Sequence, residues 1–209
     1  MMAFITRYWK RIWANAVWHG LALALLLMQP LVQAQSLTEI SQFRAERVDD
    51  EVLVSAQIGF ELSPAVEDAL VKGIPLYFSA EANVFRERWY WYDKNVGGTQ
   101  RRMRLAYQPL TRHWRLNVTS GTAREGDVGL ALNQSFDTLA LALSAIKRIS
   151  RWKVADAGDL DGSLKYRVEL RFRLDLSQLP RPFQIGALGQ ADWDIASMAS
   201  TPVAFDNPR

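Results

Sequence analysis

The chain has 209 residues, of which 49% are hydrophobic and 22% are charged, and it contains no cysteine. This composition is typical of a globular protein and excludes a disordered chain, which would have fewer apolar residues and a larger net charge. The formal charge of +3 arises in residues 1–34, which hold three cations and no acid, so residues 35–209 carry 22 basic and 22 acidic residues. This balance gives no reason to expect a nucleic-acid partner.

The histidine and cysteine counts exclude several kinds of catalytic and metal centre. His113 is the one histidine beyond residue 34, so cysteine nucleophiles, thiolate zinc sites and multi-histidine centres are excluded. We expect no metal ion and no cofactor. The Asp-Leu-Asp-Gly sequence from Asp159 is similar to part of a calcium loop, but both ends of the twelve-residue pattern, Ala157 and Val168, lack a side-chain oxygen. We therefore interpret it as a turn.

Residues 1–34 have the pattern of a secretory signal peptide. Three cations precede an uninterrupted apolar run over residues 21–28, and a helix-breaking proline follows. Val32 and Ala34 are small enough for the narrow pocket of leader peptidase, at the third and first positions before the cut. The pattern predicts that residues 35–209 form a single exported domain.

A retained membrane anchor is the alternative to cleavage. In this interpretation the apolar stretch over residues 17–32 tethers the protein to the inner membrane. The stretch has 16 residues and is interrupted by His19, Gln29 and Pro30, whereas a spanning helix needs roughly 20 mostly apolar residues. Because cations precede the apolar stretch in either case, the domain is expected outside the cytoplasm.

Alternation of apolar and polar residues with a period of two dominates the rest of the chain. Residues 165–176 place six apolar side chains on one face of a predicted strand and six charged side chains on the other. Residues 52–62 form a second such strand, and the acidic step before it predicts a hairpin with a strand over residues 38–47. Residues 99–107 and 113–118 are predicted to pair in antiparallel fashion across a short turn.

The strand that begins at residue 74 changes its apolar set from even to odd positions after Val84. Such a change of parity needs an inserted residue or a break, so we predict a β-bulge or a sharp bend between Val84 and Arg88.

Two short helices are predicted between the strands. Ser63 followed by a proline is typical of a helix start, and Gly73 closes this helix over residues 64–72. Thr138 caps a second helix through about residue 149, with Lys147, Arg148 and Arg151 at its C-terminal end. Two loops are predicted, over residues 119–128 and 155–163, and extended pieces are predicted over residues 183–209.

These elements predict an α+β fold that is mainly antiparallel β. We expect about eight strands in a sandwich-like arrangement with two short helices, preceded by the N-terminal signal or apolar helix.

Four aromatic residues in a row stand out at residues 89–92. Alternation places Trp89 and Trp91 on one face, which we assign to the core, and Tyr90 and Tyr92 on the other. Exposed tyrosines can stack on sugar rings, so Tyr90 and Tyr92 are candidate binding residues.

Between residues 86 and 115 eight basic residues outnumber two acidic ones. If the strands over residues 99–107 and 113–118 are neighbours, Arg102, Arg104 and Arg115 share one wet face. Such a face can bind anionic lipid headgroups, a polyanionic glycan or an acidic protein surface. The alternative is a solvated face whose charges are neutralised by acids elsewhere. Nucleic acid is excluded as a partner by the predicted compartment.

Catalytic arrangements have little support in the sequence. A serine triad would have to use His113, yet its strand places this side chain on the wet face and no Gly-x-Ser-x-Gly sequence occurs. A glycosidase-type carboxylate pair needs no histidine, and Glu81, Glu87 and Asp93 near the aromatic row are its local candidates.

Four blocks of sequence carry a resemblance to a known family: KGIPLYF at 72–78, RWYWYD at 88–93, LAYQPLTR at 105–112 and LSQLPRPF at 176–183. Together they resemble an uncharacterised family of proteobacterial exported proteins, the domain of unknown function 4390, some of whose members are described as proline-rich signal peptide proteins. The chain departs from the family pattern at residues 121–132, where the resemblance implies a shorter link. It implies a location in the periplasm of a Gram-negative bacterium, assigns no catalytic residue, and suggests a membrane sensor kinase as one partner.

The sequence therefore favours a non-enzymatic protein of the cell envelope. It would bind an envelope protein or an anionic surface through a basic and aromatic sheet face that contains Tyr90, Tyr92, Arg102, Arg104 and Arg115. The alternative hypothesis is a glycan-acting hydrolase that uses carboxylates near residues 89–93.

Overall fold

The computed structural model of the protein describes most of the predicted exported domain. It covers residues 38–88, 92–122, 130–156, 158, 160–161, 164–187 and 189–204. The predicted leader and membrane tether, the residues Trp89, Tyr90 and Trp91, and the acidic turn at Asp159 lie outside the described residues.

Nine strands and three short α-helices make up the described part of the chain. The strands are β1 Glu39–Val48, β2 Glu51–Gly59, β3 Leu76–Arg86, β4 Lys94–Gln108, β5 His113–Thr122, β6 Leu130–Phe136, β7 Arg148–Asp156, β8 Tyr166–Leu174 and β9 Ala196–Ala204. The helices are α1 Pro64–Val71, α2 Leu139–Lys147 and α3 Arg181–Ala187, and short 3₁₀ turns cover Leu176–Gln178 and Ala191–Trp193.

All nine strands belong to one sheet, in the order β6-β5-β4-β3-β8-β9-β1-β2-β7. Every pairing is antiparallel except the short one between β1 and β9. The sheet curls, and β7 at one end packs on β4. A Cβ on Gly97 of β4 would lie 3.1 Å from the Cβ of Ala155. The predicted class, mainly antiparallel β with short helices, is confirmed. The sandwich-like arrangement arises from one sheet that curls until β7 faces β4.

The core fills the inside of the curl. Three phenylalanines at its centre, Phe60, Phe78 and Phe172, have ring centroids 5.5 to 5.8 Å apart. The predicted alternation of β8 is confirmed, because its apolar side chains are buried and its arginines and glutamate lie on the opposite face. We call these two sides of the sheet the inner and the outer face.

Both predicted helix starts are confirmed. The Ser63 hydroxyl accepts a hydrogen bond from the backbone N–H of Val66, and the Thr138 hydroxyl accepts one from Leu141. These bonds satisfy backbone donors that have no partner inside the helix. Among the described residues, no helix has the length and apolar character needed to cross a membrane.

The register of the β3–β4 pairing shifts after Val84, as predicted, but the inserted residue belongs to β4, and the expected change of the buried set of β3 to odd positions is wrong. Val84 pairs with Gly97 of β4, whereas Phe85 pairs with Asn95, so Val96 is extra. Pairing with β8 continues without a shift. Phe85 therefore lies on the outer face, where the guanidinium of Arg167 covers its ring at 4.9 Å.

Strand β7 was not predicted, and the second helix is shorter than expected. The helix ends at Lys147, and Arg148 and Arg151 belong to the strand. The pairing of β7 with β2 shifts near Arg151, whose φ is 43°. This irregularity moves the buried set from odd to even positions, from Ile149 to Trp152, and so disrupts the period-two signal on which strand prediction depends.

Three further corrections concern loops and extended segments. The loop predicted over residues 119–128 is partly strand, because β5 continues to Thr122. The strand β6 follows at Leu130, where no strand was predicted. Within the segment predicted to be extended, helix α3 begins at Arg181, since prolines are tolerated in the first turn of a helix, and β9 follows near the end.

Candidate functional site

The outer face of strands β5, β4, β3, β8 and β9 is a continuous polar surface. Residues paired directly across an antiparallel sheet share a face, so the strand registers place six arginines and two glutamates on it. They are Arg102, Arg104, Arg115, Arg167, Arg171, Arg173, Glu81 and Glu169. The surface is therefore basic although residues 35–209 as a whole have no net charge.

The arginines nearest the β3–β4 connection are neutralised. Two guanidinium nitrogens of Arg167 donate to one Asp93 carboxylate oxygen at 3.1 Å, and both side chains are less than one third exposed. Glu169 lies 3.6 Å from Arg167 and 3.1 Å from Arg171. Charge-assisted bonds of this kind order the side chains, so this end of the face is a structural ion-pair cluster.

Four arginines at the other end have no such partners in the part of the chain that the structure describes. We call Arg102, Arg104, Arg115 and Arg173 the cationic patch. None of the four forms an ion pair with a carboxylate among the residues that the structure describes. All four are exposed, and they are available to an anion from outside the domain.

Ser79 lies at the centre of the cationic patch. It pairs with Arg102 on β4 and with Arg173 on β8, so the two arginines flank it on either side. Ser79 is only 5% exposed on this otherwise wet face, and its hydroxyl accepts a hydrogen bond from the Gln100 amide at 3.1 Å. Neighbouring strands lie about 4.8 Å apart, so the two arginine backbones are separated by roughly 10 Å. This spacing suits two guanidinium groups converging on one acidic group.

The side chain of Arg104 is held by its neighbour on β3. Its Nε donates to the Tyr77 hydroxyl at 3.3 Å, and its guanidinium lies 6.0 Å from the centre of the same ring. Tyr77 supplies a hydroxyl and a ring face and no carboxylate, so it orients Arg104 without forming an ion pair.

Arg101 is basic but does not belong to the cationic patch. It lies on the inner face, where its guanidinium covers the Trp152 ring at 4.7 Å and its Nε donates to the Ser120 hydroxyl. Burial lowers the pKa of Arg101 from its ordinary value because the charged form loses solvation. Since Trp152 belongs to β7, this contact joins β4 to the opposite end of the curled sheet.

The predicted tyrosines are not part of the same surface. Tyr92 lies in the connection between β3 and β4 and is 94% exposed, and Tyr90 lies outside the described residues. About eight residues of strand separate this connection from Arg102, or roughly 26 Å at the rise of a β-strand. The structure thus places Arg102, Arg104 and Arg115 together, with Tyr92 at a distance.

The three carboxylates of the hydrolase hypothesis have different surroundings. Glu81 accepts a hydrogen bond from Asn83, and Asp93 is held by Arg167 and by the backbone N–H of Arg88. Glu87 is exposed. The contacts of Asp93 anchor the β3–β4 connection, and the hydrolase stays a prediction.

His113 lies at the start of β5 on the surface. Its Nε2 is 3.4 Å from the Asp137 carboxylate, and both side chains are exposed. Among the described residues, no group of three or more histidine and carboxylate side chains is arranged to hold a metal ion.

Sequence reasoning missed Arg173 as a member of the cationic patch. Its position on the wet face of its strand was predicted, but its distance from Arg102 depends on β8 and β4 flanking β3. That arrangement joins parts of the chain about seventy residues apart. Local alternation carries no signal for such neighbours.

The fold and the site together define a class: a mainly antiparallel β-domain with a cationic patch on the outer face of a curled sheet. The family described as Domain of unknown function (DUF4390) has a model that matches residues 35–202, and the chain belongs to this family. Comparisons with curated proteins and with solved structures found no match.

Proposed function

We propose that this protein is a non-enzymatic binding module of the Gram-negative cell envelope, and that its cationic patch binds an acidic surface of another envelope protein. One observation carries the proposal: the patch arginines have no described carboxylate partner, whereas Arg167 and Arg171 on the same face are neutralised. Like charges grouped on one face repel one another. An external acidic partner would relieve this repulsion.

The residues between the arginines favour a protein partner over a membrane surface. Surfaces that bind membranes combine cations with apolar side chains that enter the lipid. Apart from Tyr77, which holds Arg104, and the small Ala106, the residues between the patch arginines are small and polar, namely Ser79, Asn117 and Thr119. Such residues can donate and accept hydrogen bonds in a protein interface.

The location in the envelope is supported by the sequence of residues 1–34. Cations, an apolar run and small residues before the expected cut are typical of exported proteins. We expect cell fractionation to place the protein in the periplasm and N-terminal sequencing to find a chain that starts at Gln35. A full-length chain in the membrane fraction would support the anchor instead, and a cytoplasmic protein would contradict the proposal.

A charge reversal tests the binding function. We expect Arg102→Glu combined with Arg104→Glu to weaken binding of the full chain to immobilised polyglutamate at least tenfold. The matched control is Arg44→Glu combined with Arg181→Glu, which changes the net charge equally at exposed positions outside the patch. The control should weaken binding less than threefold, because charges beyond about 10 Å are screened at physiological salt.

Two outcomes would contradict the proposal. Equal losses in the patch variant and the control would mean that binding depends on net charge alone. Binding to vesicles that contain phosphatidylglycerol, with no binding to polyglutamate, would show that the patch recognises a membrane surface and not an acidic protein.

A further inference from the structure

The sheet has two edges, and one of them is protected. Edge strands invite pairing with other chains, and natural proteins block them with charges, bulges or covering elements. Strand β7 has all three. It is irregular at Arg151, its Lys153 pairs with Glu51 and Asp156 at 3.0 and 2.8 Å, and it packs on β4 through Ala155.

Within the described residues, the other edge, β6, has neither a charged side chain nor a bulge. Its seven residues, LALNQSF, include no charged residue and no proline. It pairs with β5 from Leu130 to Phe136 without any shift of register. No described strand pairs with its other side, so β6 offers a regular row of backbone donors and acceptors.

The open edge lies next to the cationic patch. Ser135 of β6 pairs with Arg115, and Asn133 pairs with Asn117, which pairs in turn with Arg104. The outer face of β6 is thus small and polar where it borders the patch. Leu132 points to the inner side and is 55% exposed. A strand added here would therefore meet cations on one side and an apolar surface on the other.

We propose that an extended segment with alternating acidic and apolar residues, belonging to the partner protein, adds to β6 as a tenth strand of the sheet. This inference rests on the proposed function and names the mode of binding. Side chains alternate between the faces of a strand, so the acidic ones lie on the outer face, toward Arg115, and the apolar ones lie on the inner face beside Leu132. The added strand lies about 10 Å from β5, which extended arginine and glutamate side chains span together.

A second copy of this chain fits the edge less well. Pairing of β6 with β6 of another copy would join the two outer faces into one surface. The two cationic patches would then lie on the same side, with only the β6 strands between them, and like charges would repel.

The test uses the full chain and a fluorescein-labelled synthetic peptide in which glutamate and valine alternate over twelve residues. We expect binding by fluorescence anisotropy, and at least tenfold slower amide hydrogen exchange in β6 when the peptide is bound. A peptide with lysine in place of glutamate is the matched control and should bind at least tenfold more weakly. Exchange in β7 should not change.

Proline variants test the backbone contact. In an edge strand, successive N–H groups point alternately to the neighbouring strand and to the open side. One of the two variants Asn133→Pro and Gln134→Pro therefore removes an N–H group that points to the open side. That variant should keep the melting temperature of the unsubstituted protein and should bind the peptide at least tenfold more weakly. If both variants unfold, slower hydrogen exchange in β6 of the unsubstituted chain still tests whether the peptide adds to this strand.

The outcomes separate this inference from the proposed function. If the peptide binds and binding is lost in Arg102→Glu with Arg104→Glu, but exchange in β6 is unchanged, strand addition is wrong and the function stands. If exchange in β6 slows for the lysine peptide equally, the acidic character of the partner is wrong. If no acidic probe binds, both proposals fail. Concentration-dependent dimers that protect β6 would assign the edge to a second copy.

Discussion

Arg167 and Arg102 lie on the same face of the sheet, on the strands either side of β3, and they differ in their surroundings. Arg167 donates to Asp93, lies near Glu169 and covers the Phe85 ring. Arg102 has no ion pair with a described carboxylate and flanks a small serine. The comparison shows that neutralisation, more than the number of basic residues, distinguishes a structural charge cluster from a surface that can bind.

Both arginines project from strands whose inner faces are packed in the core. A core substitution tests this assignment of the two faces. Phe172→Ala should lower the free energy of unfolding by about 3–5 kcal/mol, because it removes a buried ring and leaves a cavity. Its outward neighbour, Arg173→Ala, should change it by less than about 0.5 kcal/mol. Chemical denaturation of both variants measures the difference, and similar losses would contradict the assignment of the two faces.

Truncation of the neutralised arginine should have the next largest effect. Arg167→Ala should lower the free energy of unfolding by about 1–2 kcal/mol, because it removes charge-assisted bonds to Asp93 and the contact with Phe85. Arg115→Ala, in the cationic patch, should change it by less than about 0.5 kcal/mol. The same denaturation series checks both values. A larger loss for Arg115 would mean that the patch is structural.

A double-mutant cycle isolates the ion pair itself. For Arg167→Ala and Asp93→Asn, we expect a coupling free energy of about 0.5–1.5 kcal/mol, since both side chains are partly buried. The same cycle between Arg102→Ala and Asp93→Asn should give a coupling near zero. Equal coupling free energies in the two cycles would contradict the distinction between the ion-pair cluster and the cationic patch.

The smallest effect is expected at Lys153, a neutralised cation on the protected edge. Hydrogen bonds to Asp156 and then to Glu51 raise the pKa of Lys153. Because the pKa of Lys153 is higher in the folded state than in the unfolded state, its ion pairs stabilise the fold fully below the pKa of the unfolded state, near pH 10. This stabilisation is lost as the pH rises through the pKa of the folded state. Lys153→Met should flatten the alkaline dependence of the melting temperature, and an unchanged dependence would contradict this account.

Local patterns predicted much of the fold. The one-sided strand β8 and the capped helix starts at Ser63 and Thr138 follow from neighbours in the sequence. The bulge opposite Val84 lies in β4, and the parity of β3 did not predict it correctly. Strand β7 was not predicted because a change of register near Arg151 disrupts its alternation of buried and exposed residues. Strand β6 was missed because Gln134 interrupts its alternating apolar set of Leu130, Leu132 and Phe136, which leaves only a short period-two signal.

The candidate site was predicted less completely, because it depends on contacts distant in sequence. The shared face of Arg102, Arg104 and Arg115 followed from the predicted pairing of two adjacent strands. The inclusion of Arg173 and the neutralisation of Arg167 by Asp93 depend on the strand order around β3. The basic residues between 86 and 115 do not all share one face, since Arg101 lies on the inner face against Trp152.

The most direct test of the account is a titration of the full chain with polyglutamate, followed by nuclear magnetic resonance of the arginine Nε–Hε groups. We predict that the signals of Arg102, Arg104, Arg115 and Arg173 shift together as polyglutamate is added, while those of Arg167 and Arg171 stay in place. Equal shifts of all six signals, or shifts confined to arginines outside the cationic patch, would contradict it.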